Sequence, residues 1–289
     1  MFGPNKVILA EVFNSSTHRS NNFKKLYNKV ISAFRRQWEI LNDFEILFIP
    51  GSGTVGVEAV VRSVKAPIDS PTYNGRFSEK WRAMTSLYNT DKDYNLKKLG
   101  FEVQFETSLS KLNIFENISI VDGISSFPYY DIPNGTDIFI TCSNKQLGSL
   151  VGLSIVFIRK SRIDLLKPTD VSYLNLSNYL ERGSQGQTPT TFPEFQLNYL
   201  LTIIENFDLK KHRENIDKTS QLILDFVPKE FIVGDLMYSP CISVKKNFFK
   251  ENLGAQLYNN EYSNTYQIFT YSHQFDDYET FINSLFHEK

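Results

Sequence analysis

The sequence has few cysteines, little net charge and no long apolar run. Its 289 residues include two cysteines, Cys142 and Cys241, so neither a disulfide framework nor a metal site is expected. The 31 basic residues nearly balance the 32 acidic ones, which argues against nucleic acid or an anionic membrane surface as the main partner. No stretch approaches the roughly 18 apolar residues that a membrane-spanning helix needs. The N-terminus also lacks the basic and apolar regions of a signal peptide, so the sequence predicts a cytoplasmic protein.

The chain is nevertheless apolar enough to bury a sizeable core, with 41% apolar and 14% aromatic residues. In its first half, short apolar runs alternate with helical patterns, which is typical of an α/β sheet. Buried strands are predicted at 44–49, 118–121, 138–142 and 153–158, and helices at 23–40, 55–64 and 193–207. This order predicts a large α/β domain over residues 1–207.

The final section, residues 208–289, has a different pattern. Helical patterns at 208–226 and 275–287 surround strand candidates near 230–245 and 265–271. The sequence therefore predicts a small C-terminal α+β domain after the large one.

Four residues between the first predicted strand and its following helix could hold an anion. They are Gly51-Ser52-Gly53-Thr54. Glycines let the backbone approach a phosphate closely, and the N–H groups at the start of the next helix then bind it, with the Ser and Thr hydroxyls as further donors. The segment matches neither a P-loop nor the dinucleotide-binding pattern. An ordinary connection between a strand and a helix has the same composition, so this motif is weak by itself.

Two further strand ends carry chemically active side chains. Asp122 ends an apolar strand, where an acid is costly to bury unless it has a partner. It could be a metal ligand, a helix cap or the counter-ion of a protonated ring nitrogen. Lys145 follows another buried strand among small polar residues, and it could be a nucleophilic amine or an ordinary surface lysine.

A phosphate-binding turn, an Asp and a Lys in this order together indicate a pyridoxal-phosphate site. In such a site the Lys bonds to the cofactor as a Schiff base and the Asp keeps the pyridine nitrogen protonated, so that the ring can accept electrons. The turn fixes the phosphate. These are the three residue types that the chemistry needs.

Short motifs in a fixed order along the chain indicate a family. They are Gly3-Pro4, Thr17-His18-Arg19-Ser20, Gly51-Ser52-Gly53-Thr54, Asn74-Gly75-Arg76-Phe77, Glu106-Thr107-Ser108, Val121-Asp122, Ser143-Asn144-Lys145, Gly152-Leu153-Ser154 and Gln187-Thr188-Pro189-Thr190. With them the chain resembles the class V aminotransferases, the group that includes alanine–glyoxylate, serine–pyruvate, phosphonate and phosphoserine aminotransferases. The resemblance implies the pyridoxal-phosphate-dependent transferase fold type I, with a mixed, mostly parallel sheet in the large domain.

The resemblance also implies a role for each matched residue. Lys145 would be the Schiff-base lysine that moves a proton between the substrate and the cofactor, and Asp122 would pair with the pyridinium nitrogen. Thr188 would reach the phosphate in the neighbouring subunit, which implies a homodimer with shared active sites. His18 and Arg19 would lie near an anionic group of the substrate. The other cofactor-binding residues would be Ser52, Gly53, Thr54, Phe77 stacked on the ring, Thr107 and Ser143.

One departure from the family concerns how the substrate is held. The family usually binds the substrate α-carboxylate with an arginine of the small domain, through two N–H donors that match two oxygens. Gln267 stands about where that arginine belongs, and a glutamine supplies hydrogen bonds but no charge. Either another cation such as Arg19, Arg76 or Arg182 serves, or the substrate is not an ordinary α-amino acid, or transamination has been lost.

The sequence thus predicts a pyridoxal-phosphate-dependent aminotransferase. It would move an amino group from an amino acid, or from a phosphorylated or phosphonate amino compound, to a 2-oxo acid. Two alternatives stay open, namely another pyridoxal-phosphate reaction such as that of a lyase or decarboxylase, and a non-catalytic binding protein that keeps the fold.

Overall fold

The computed structural model describes residues 17–65, 68, 76–88, 102–105, 118–234, 239–249, 257–261 and 263–287. The helices are α1 Asn21–Gln37, α2 Gly53–Ser63, α3 Arg76–Tyr88, α4 Leu176–Ser184, α5 Glu194–Glu205, α6 Leu209–Phe226 and α7 Phe275–His287. The strands are β1 Phe44–Pro50, β2 Glu102–Phe105, β3 Ile118–Asp122, β4 Ile138–Cys142, β5 Leu153–Arg159, β6 Ile232–Val233, β7 Cys241–Lys245, β8 Tyr258–Asn260 and β9 Thr265–Phe269. None of the described helices is both long and apolar enough to cross a bilayer.

The first helix shows how the local sequence sets the bounds of an element. α1 follows Ser20, whose hydroxyl accepts a hydrogen bond from the backbone N–H of Phe23 at 3.1 Å. Its apolar residues recur at helical spacing and form one buried face. The helix ends at Gln37 because Trp38 has an extended backbone. The helix predicted to continue to residue 40 is therefore shorter, and a short 3₁₀ turn, Glu39–Asp43, replaces its last part.

Four of the five strands of the large sheet run in the same direction. The strand order is β1-β5-β4-β3-β2. β2, β3 and β4 pair in parallel, whereas β5 is antiparallel to both of its neighbours, β4 and β1. β1 therefore runs in the same direction as β4, although β5 lies between them. The prediction of a mixed, mostly parallel sheet is confirmed.

This common direction places three predicted site segments at one edge of the sheet. The carboxyl ends of parallel strands share an edge, where the following loops and helix N-termini lie. β1 ends at Pro50, directly before residues 51–54, and β3 ends at Asp122. β4 ends at Cys142, shortly before Lys145.

The sheet separates two buried cores. The core against α1 and α5 includes Phe34, Phe48, Val121, Phe139, Phe157 and Leu200. The core against α2, α3 and α4 includes Leu47, Val60, Trp81, Ile120, Ile140 and Tyr179. Side chains alternate along a strand, so Asp122 points to the same side as Ile120, which is the side of α2 and α3.

A second, antiparallel sheet has the strand order β6-β7-β9-β8. One face of it packs with residues of α6 and α7, in a core that includes Ile223, Val244, Ile268 and Tyr278. The predicted boundary between residues 207 and 208 falls in the short connection from α5 to α6. As a division into two domains, 1–207 and 208–289, it stays a prediction.

Gly56 determines how closely α2 lies on the sheet, which gives a first test. An added Cβ at Gly56 would lie 2.0 Å from Ser154 Oγ and 3.3 Å from Ile140 Cγ2. We expect Gly56→Ala to lower the free energy of unfolding by about 1–3 kcal/mol, because this overpacking outweighs the better helix propensity of Ala. Urea unfolding measures the change.

The matched control is Gly183→Ala in α4. There an added Cβ would have the hydroxyl of Tyr27 as its nearest neighbour, at 3.1 Å, which a small shift can relieve. Its stability should change little or rise slightly. Equal losses in the two variants would contradict the close packing assigned to Gly56.

Candidate active site

Asp122 is a buried acid, 7% exposed, at the carboxyl end of β3. The indole N–H of Trp81 donates to its Oδ2 at 2.9 Å, and the backbone N–H of Ile124 donates to its Oδ1 at 3.2 Å. Burial raises the pKa of Asp122, and these two hydrogen bonds and the charge of Lys145 offset only part of that rise. Among the residues that the structure describes, no basic side chain forms an ion pair with it.

Trp81 is a site residue that the sequence did not predict. It lies in α3 and is fully buried against the same side of the sheet as Asp122. Phe77 lies one helical turn earlier and hence on the same side of α3. Its ring is 47% exposed, with the Nζ of Lys80 at 5.5 Å from the ring centre. Phe77, whose ring is predicted to stack on a cofactor, is thus accessible to solvent and lies one helical turn before Trp81.

The start of α2 lies next to the segment that follows Asp122. Gly51 has φ +135, a backbone conformation that favours glycine, and its N–H donates to the carbonyl of Gly152 at 2.8 Å. Ser52 precedes the helix, but its side chain makes no capping hydrogen bond. An added Cβ at Gly53 would lie 2.7 Å from Cδ1 of Ile124. The predicted phosphate-binding turn, including Thr54 in the first turn of α2, and the predicted acid are therefore adjacent.

Lys145 lies in a tight loop between β4 and β5. The carbonyl of Ser143 accepts a hydrogen bond from the N–H of Ser149 at 2.9 Å, and the hydroxyl of Ser143 donates to the carbonyl of Leu150 at 2.6 Å. Ser143, which was predicted to bind the cofactor, here closes the loop that carries Lys145. The Nζ of Lys145 lies 5.7 Å from the ring centre of Phe269.

The contact with Phe269 brings one face of the second sheet to Lys145. Gln267 lies two residues before Phe269 on β9, so its side chain is on the same face. It is opposite Ser243 on β7, and its Nε2 donates to the hydroxyl of Ser243 at 3.4 Å. Gln267 is half-buried, on the same face of β9 that presents Phe269 to Lys145.

Two other predicted site residues, Arg19 and Thr188, line a separate cavity of about 230 Å³, whose lining includes neither Asp122 nor Lys145. Arg182 and Gln187 also line it. Thr188 is buried, and its hydroxyl donates to the carbonyl of Thr190 at 2.8 Å. The structure thus brings Arg19 and Thr188 together in a cavity that neither Asp122 nor Lys145 lines.

The remaining predicted residues are His18 and Thr107. Burial lowers the pKa of His18, and the neighbouring Arg19 lowers it further, so its imidazole is neutral near pH 7. Thr107 lies outside the described residues, as do Gly3, Pro4 and Asn74.

The buried charge of Asp122 predicts a pH-dependent stability. Its pKa is higher in the folded chain than in the unfolded chain, so the unfolded state loses this proton first as the pH rises. Stability from this group is complete below the ordinary pKa of an Asp and is lost as the pH rises through the raised value. We expect the free energy of unfolding of Asp122→Asn to fall less between acid and pH 7 than that of the wild type, because the variant has no carboxyl group to titrate at this position. Calorimetry between pH 3 and 7, values chosen to bracket roughly the ordinary range of carboxyl groups, measures the difference.

The control variant is Trp81→Phe, which removes one donor to the carboxylate. It should cost more stability at pH 7 than in acid, because the indole N–H stabilises the charged form. A stability difference between Asp122→Asn and wild type that does not vary with pH would contradict this account.

Comparison with known proteins gives distant relatives. No family model matches the sequence. The phosphoserine aminotransferase of Lysinibacillus sphaericus (strain C3-41) is 22% identical over 219 residues, which cover 66% of this chain and 60% of that protein. The phosphoserine aminotransferase of Pseudoalteromonas translucida (strain TAC 125) is 26% identical over 210 residues, covering 61% of this chain and 57% of that protein. The matched part of the chain therefore spans less than two thirds of the length of these relatives.

Solved structures match over almost the whole chain. The aspartate aminotransferase of subgroup IV from Thermus thermophilus has a TM-score of 0.77 at 18% identity, covering 99% of this chain and 97% of that chain. A phosphoserine aminotransferase from Cytophaga hutchinsonii has a TM-score of 0.74 at 16% identity, covering 95% and 91%. An alanine–glyoxylate aminotransferase from Nostoc sp. has a TM-score of 0.73 at 17% identity, covering 94% and 89%. The chain therefore has the fold of these aminotransferases, and the resemblance found in the sequence is confirmed at the level of the fold.

Proposed function

We propose that this chain is a pyridoxal-phosphate-dependent class V aminotransferase, which moves an amino group from an amino acid, or from a phosphorylated or phosphonate amino compound, to a 2-oxo acid. The observation that carries the proposal is the arrangement at one sheet edge. The start of α2, the buried carboxylate of Asp122 and the loop of Lys145 all lie there. The two curated relatives, both named as phosphoserine aminotransferases, support it.

The residues present fit the cofactor. Each oxygen of Asp122 accepts one hydrogen bond, from Trp81 or from Ile124, which leaves lone pairs for the N–H of a pyridinium ring. A carboxylate buried among neutral donors gains most from such a cation, because burial disfavours its charge. The first turn of α2 presents N–H groups and the positive end of its dipole to a phosphate.

The side chains of this chain then have defined tasks. Bound pyridoxal phosphate supplies an electron sink for the electron pair left at the substrate Cα. Lys145 would supply the amine that holds the cofactor, and the same amine, when free, would act as a base for the substrate Cα proton. Asp122 would hold the proton on the ring nitrogen. Gln267 would orient the substrate by hydrogen bonds, without a charge.

We also propose a cytoplasmic homodimer with shared active sites, whose partners are small molecules and neither nucleic acid nor membrane. Val171 and Tyr173, which are 100% and 70% exposed, line the same cavity as Arg19 and Thr188. Large apolar side chains exposed beside a polar cavity are typical of an interface between subunits. In the dimer, Thr188 would reach the phosphate of the neighbouring subunit, and His18 and Arg19 would lie near an anionic group of the substrate.

Loss of the Lys145 amine tests the proposed chemistry. Wild-type protein mixed with pyridoxal phosphate should develop a visible absorption band, and borohydride reduction should leave a covalent adduct on the peptide that contains Lys145. Lys145→Ala should show neither, because no amine is left to bond. Amino transfer should fall by roughly 100- to 10,000-fold, the usual contribution of a positioned proton carrier.

The control is Lys160→Ala. Lys160 follows β5 at the opposite edge of the sheet, where its Nζ donates to the carbonyl of Asn42. This variant should keep the band and the adduct. A wild-type protein that gains no band would contradict the proposed function, and a band that no amino donor changes would favour the non-catalytic alternative.

The missing positive charge at position 267 leads to a prediction about how the chain binds ordinary amino acids. Gln267→Arg adds a guanidinium to the face that meets the Lys145 loop, and charge-assisted hydrogen bonds to a carboxylate exceed neutral ones by about 1 kcal/mol or more. KM for an amino acid donor should therefore fall about fivefold or more. Steady-state kinetics with a series of amino donors measures the change.

The matched control is Gln267→Glu, which has the opposite charge effect and should raise KM for the same donors. An amine without a carboxylate should show no gain from Gln267→Arg. If the Arg and Glu variants had the same KM, Gln267 would lie outside the region that holds the substrate.

A further inference from the structure

Gln146, the residue after Lys145, is a buried amide with well-defined partners. It is 4% exposed. Its Oε1 accepts a hydrogen bond from the backbone N–H of Tyr129 at 3.1 Å, and its Nε2 donates to the carbonyl of Ser125 at 2.6 Å. Because a backbone N–H always donates and a carbonyl always accepts, these two contacts fix the orientation of the amide.

His212 of α6 makes the third contact. Its Nε2 lies 3.1 Å from Oε1 of Gln146. Since that oxygen can only accept, Nε2 carries the hydrogen and donates it. Burial, and to a smaller extent the neighbouring Arg213, lowers the pKa of His212 to about 4. The ring is therefore neutral near pH 7 and has a single donor, which Gln146 uses.

The partners of Gln146 also belong to the segment that carries Asp122. Ser125 and Tyr129 lie in the turn that follows Asp122, and α6 holds this turn at two further places. The hydroxyl of Tyr129 donates to Asp217 at 2.5 Å, and the guanidinium of Arg213 lies 2.6 Å from the carboxylate of Asp131. One side chain thus connects the Lys145 loop, the Asp122 segment and α6.

We propose that Gln146 and His212 are positioning residues, which fix the Lys145 loop relative to Asp122 through one shared amide. The proposal rests on the proposed function, because the separation of Lys145 and Asp122 matters only if both act on one bound molecule. Neither Gln146 nor His212 contacts the Nζ of Lys145 in the described structure. Their effect should therefore appear in the reactivity of Lys145.

The physical reason is the number of contacts that one amide satisfies. Without the His212 donor, Oε1 of Gln146 has one partner left and loses the contact that ties the Lys145 loop to α6. The backbone of Gln146 is continuous with that of Lys145, so an amide that is fixed by three partners restrains the backbone next to the lysine. Displacement of a reacting group by about 1 Å can slow a reaction by roughly 100-fold.

Two substitutions of His212 by a neutral amide distinguish the effect of its N–H donor from the effect of its ring. His212→Gln places an amide nitrogen near the position of Nε2 and can still donate to Gln146. His212→Asn ends one carbon shorter, near the position of Nδ1, and cannot. Both are neutral at every pH, so they differ in one methylene and in whether an N–H reaches Gln146.

The experiment uses two measurements on the full chain. The first is hydrogen exchange without cofactor, over peptides covering residues 122–130 and 143–149. The second is the rate at which added pyridoxal phosphate forms the borohydride-reducible adduct on Lys145, together with the pH titration of its visible band. In His212→Asn we expect faster exchange in both peptides, adduct formation slowed roughly ten- to 100-fold, and a shifted titration midpoint. His212→Gln should restore most of each value.

The outcomes distinguish positioning from a merely structural role. Faster exchange in His212→Asn with an unchanged adduct rate and titration would overturn the proposal, as would a His212→Gln variant no better than His212→Asn. If the wild-type chain forms no adduct at all, the proposed function fails. Hydrogen exchange then tests the contact between Gln146 and His212 by itself. Equal protection of the two peptides in wild type and both variants would overturn the contact. Protection that is lost in His212→Asn and regained in His212→Gln would support it.

Discussion

β1, β3 and β4 run in the same direction, and this shared direction brings the start of α2, Asp122 and the Lys145 loop to one edge of the sheet. The three segments are far apart along the chain, and no local interaction would hold them together. The direction is maintained by the two apolar cores that cover both faces of the sheet. Large aromatic side chains such as Phe48, Phe139 and Phe157 fill one of them, so the geometry of the site depends on packing that lies beneath it.

Burying the polar groups at this edge costs free energy of folding, and hydrogen bonds from neighbouring donors offset only part of that cost. Asp122 is buried with Trp81 and Ile124 as donors and with a raised pKa. His212 is buried in its neutral form. Each of these groups costs stability unless its hydrogen bonds are complete. The two apolar cores behind this edge supply the stability that offsets the cost of burying these polar groups.

Much of the fold could be predicted from the sequence, and the contacts between distant segments could not. The strands ending before residue 51, at Asp122 and at Cys142 were visible as short apolar runs, since burial on both faces leaves a continuous apolar pattern. Trp81 had no such signal, because one indole N–H that donates to an acid 41 residues away leaves no local pattern. The contact between Gln146 and His212 spans 66 residues and is equally invisible. The hydrogen bond from the Ser143 hydroxyl to the carbonyl of Leu150 was likewise not predictable, and the role of Ser143 in binding a cofactor stays a prediction.

β5 runs against its neighbours and lies between β1 and β4. At this edge it contributes only its beginning, where the carbonyl of Gly152 accepts a hydrogen bond from Gly51. The inserted strand separates β1 from β4 by two interstrand spacings, roughly 10 Å in all. The start of α2 follows β1 and the Lys145 loop follows β4, so β5 keeps the ends of the strands that carry them about that far apart. A ligand held at both strand ends would therefore have to be longer than one held at a single end, and β5 sets that difference.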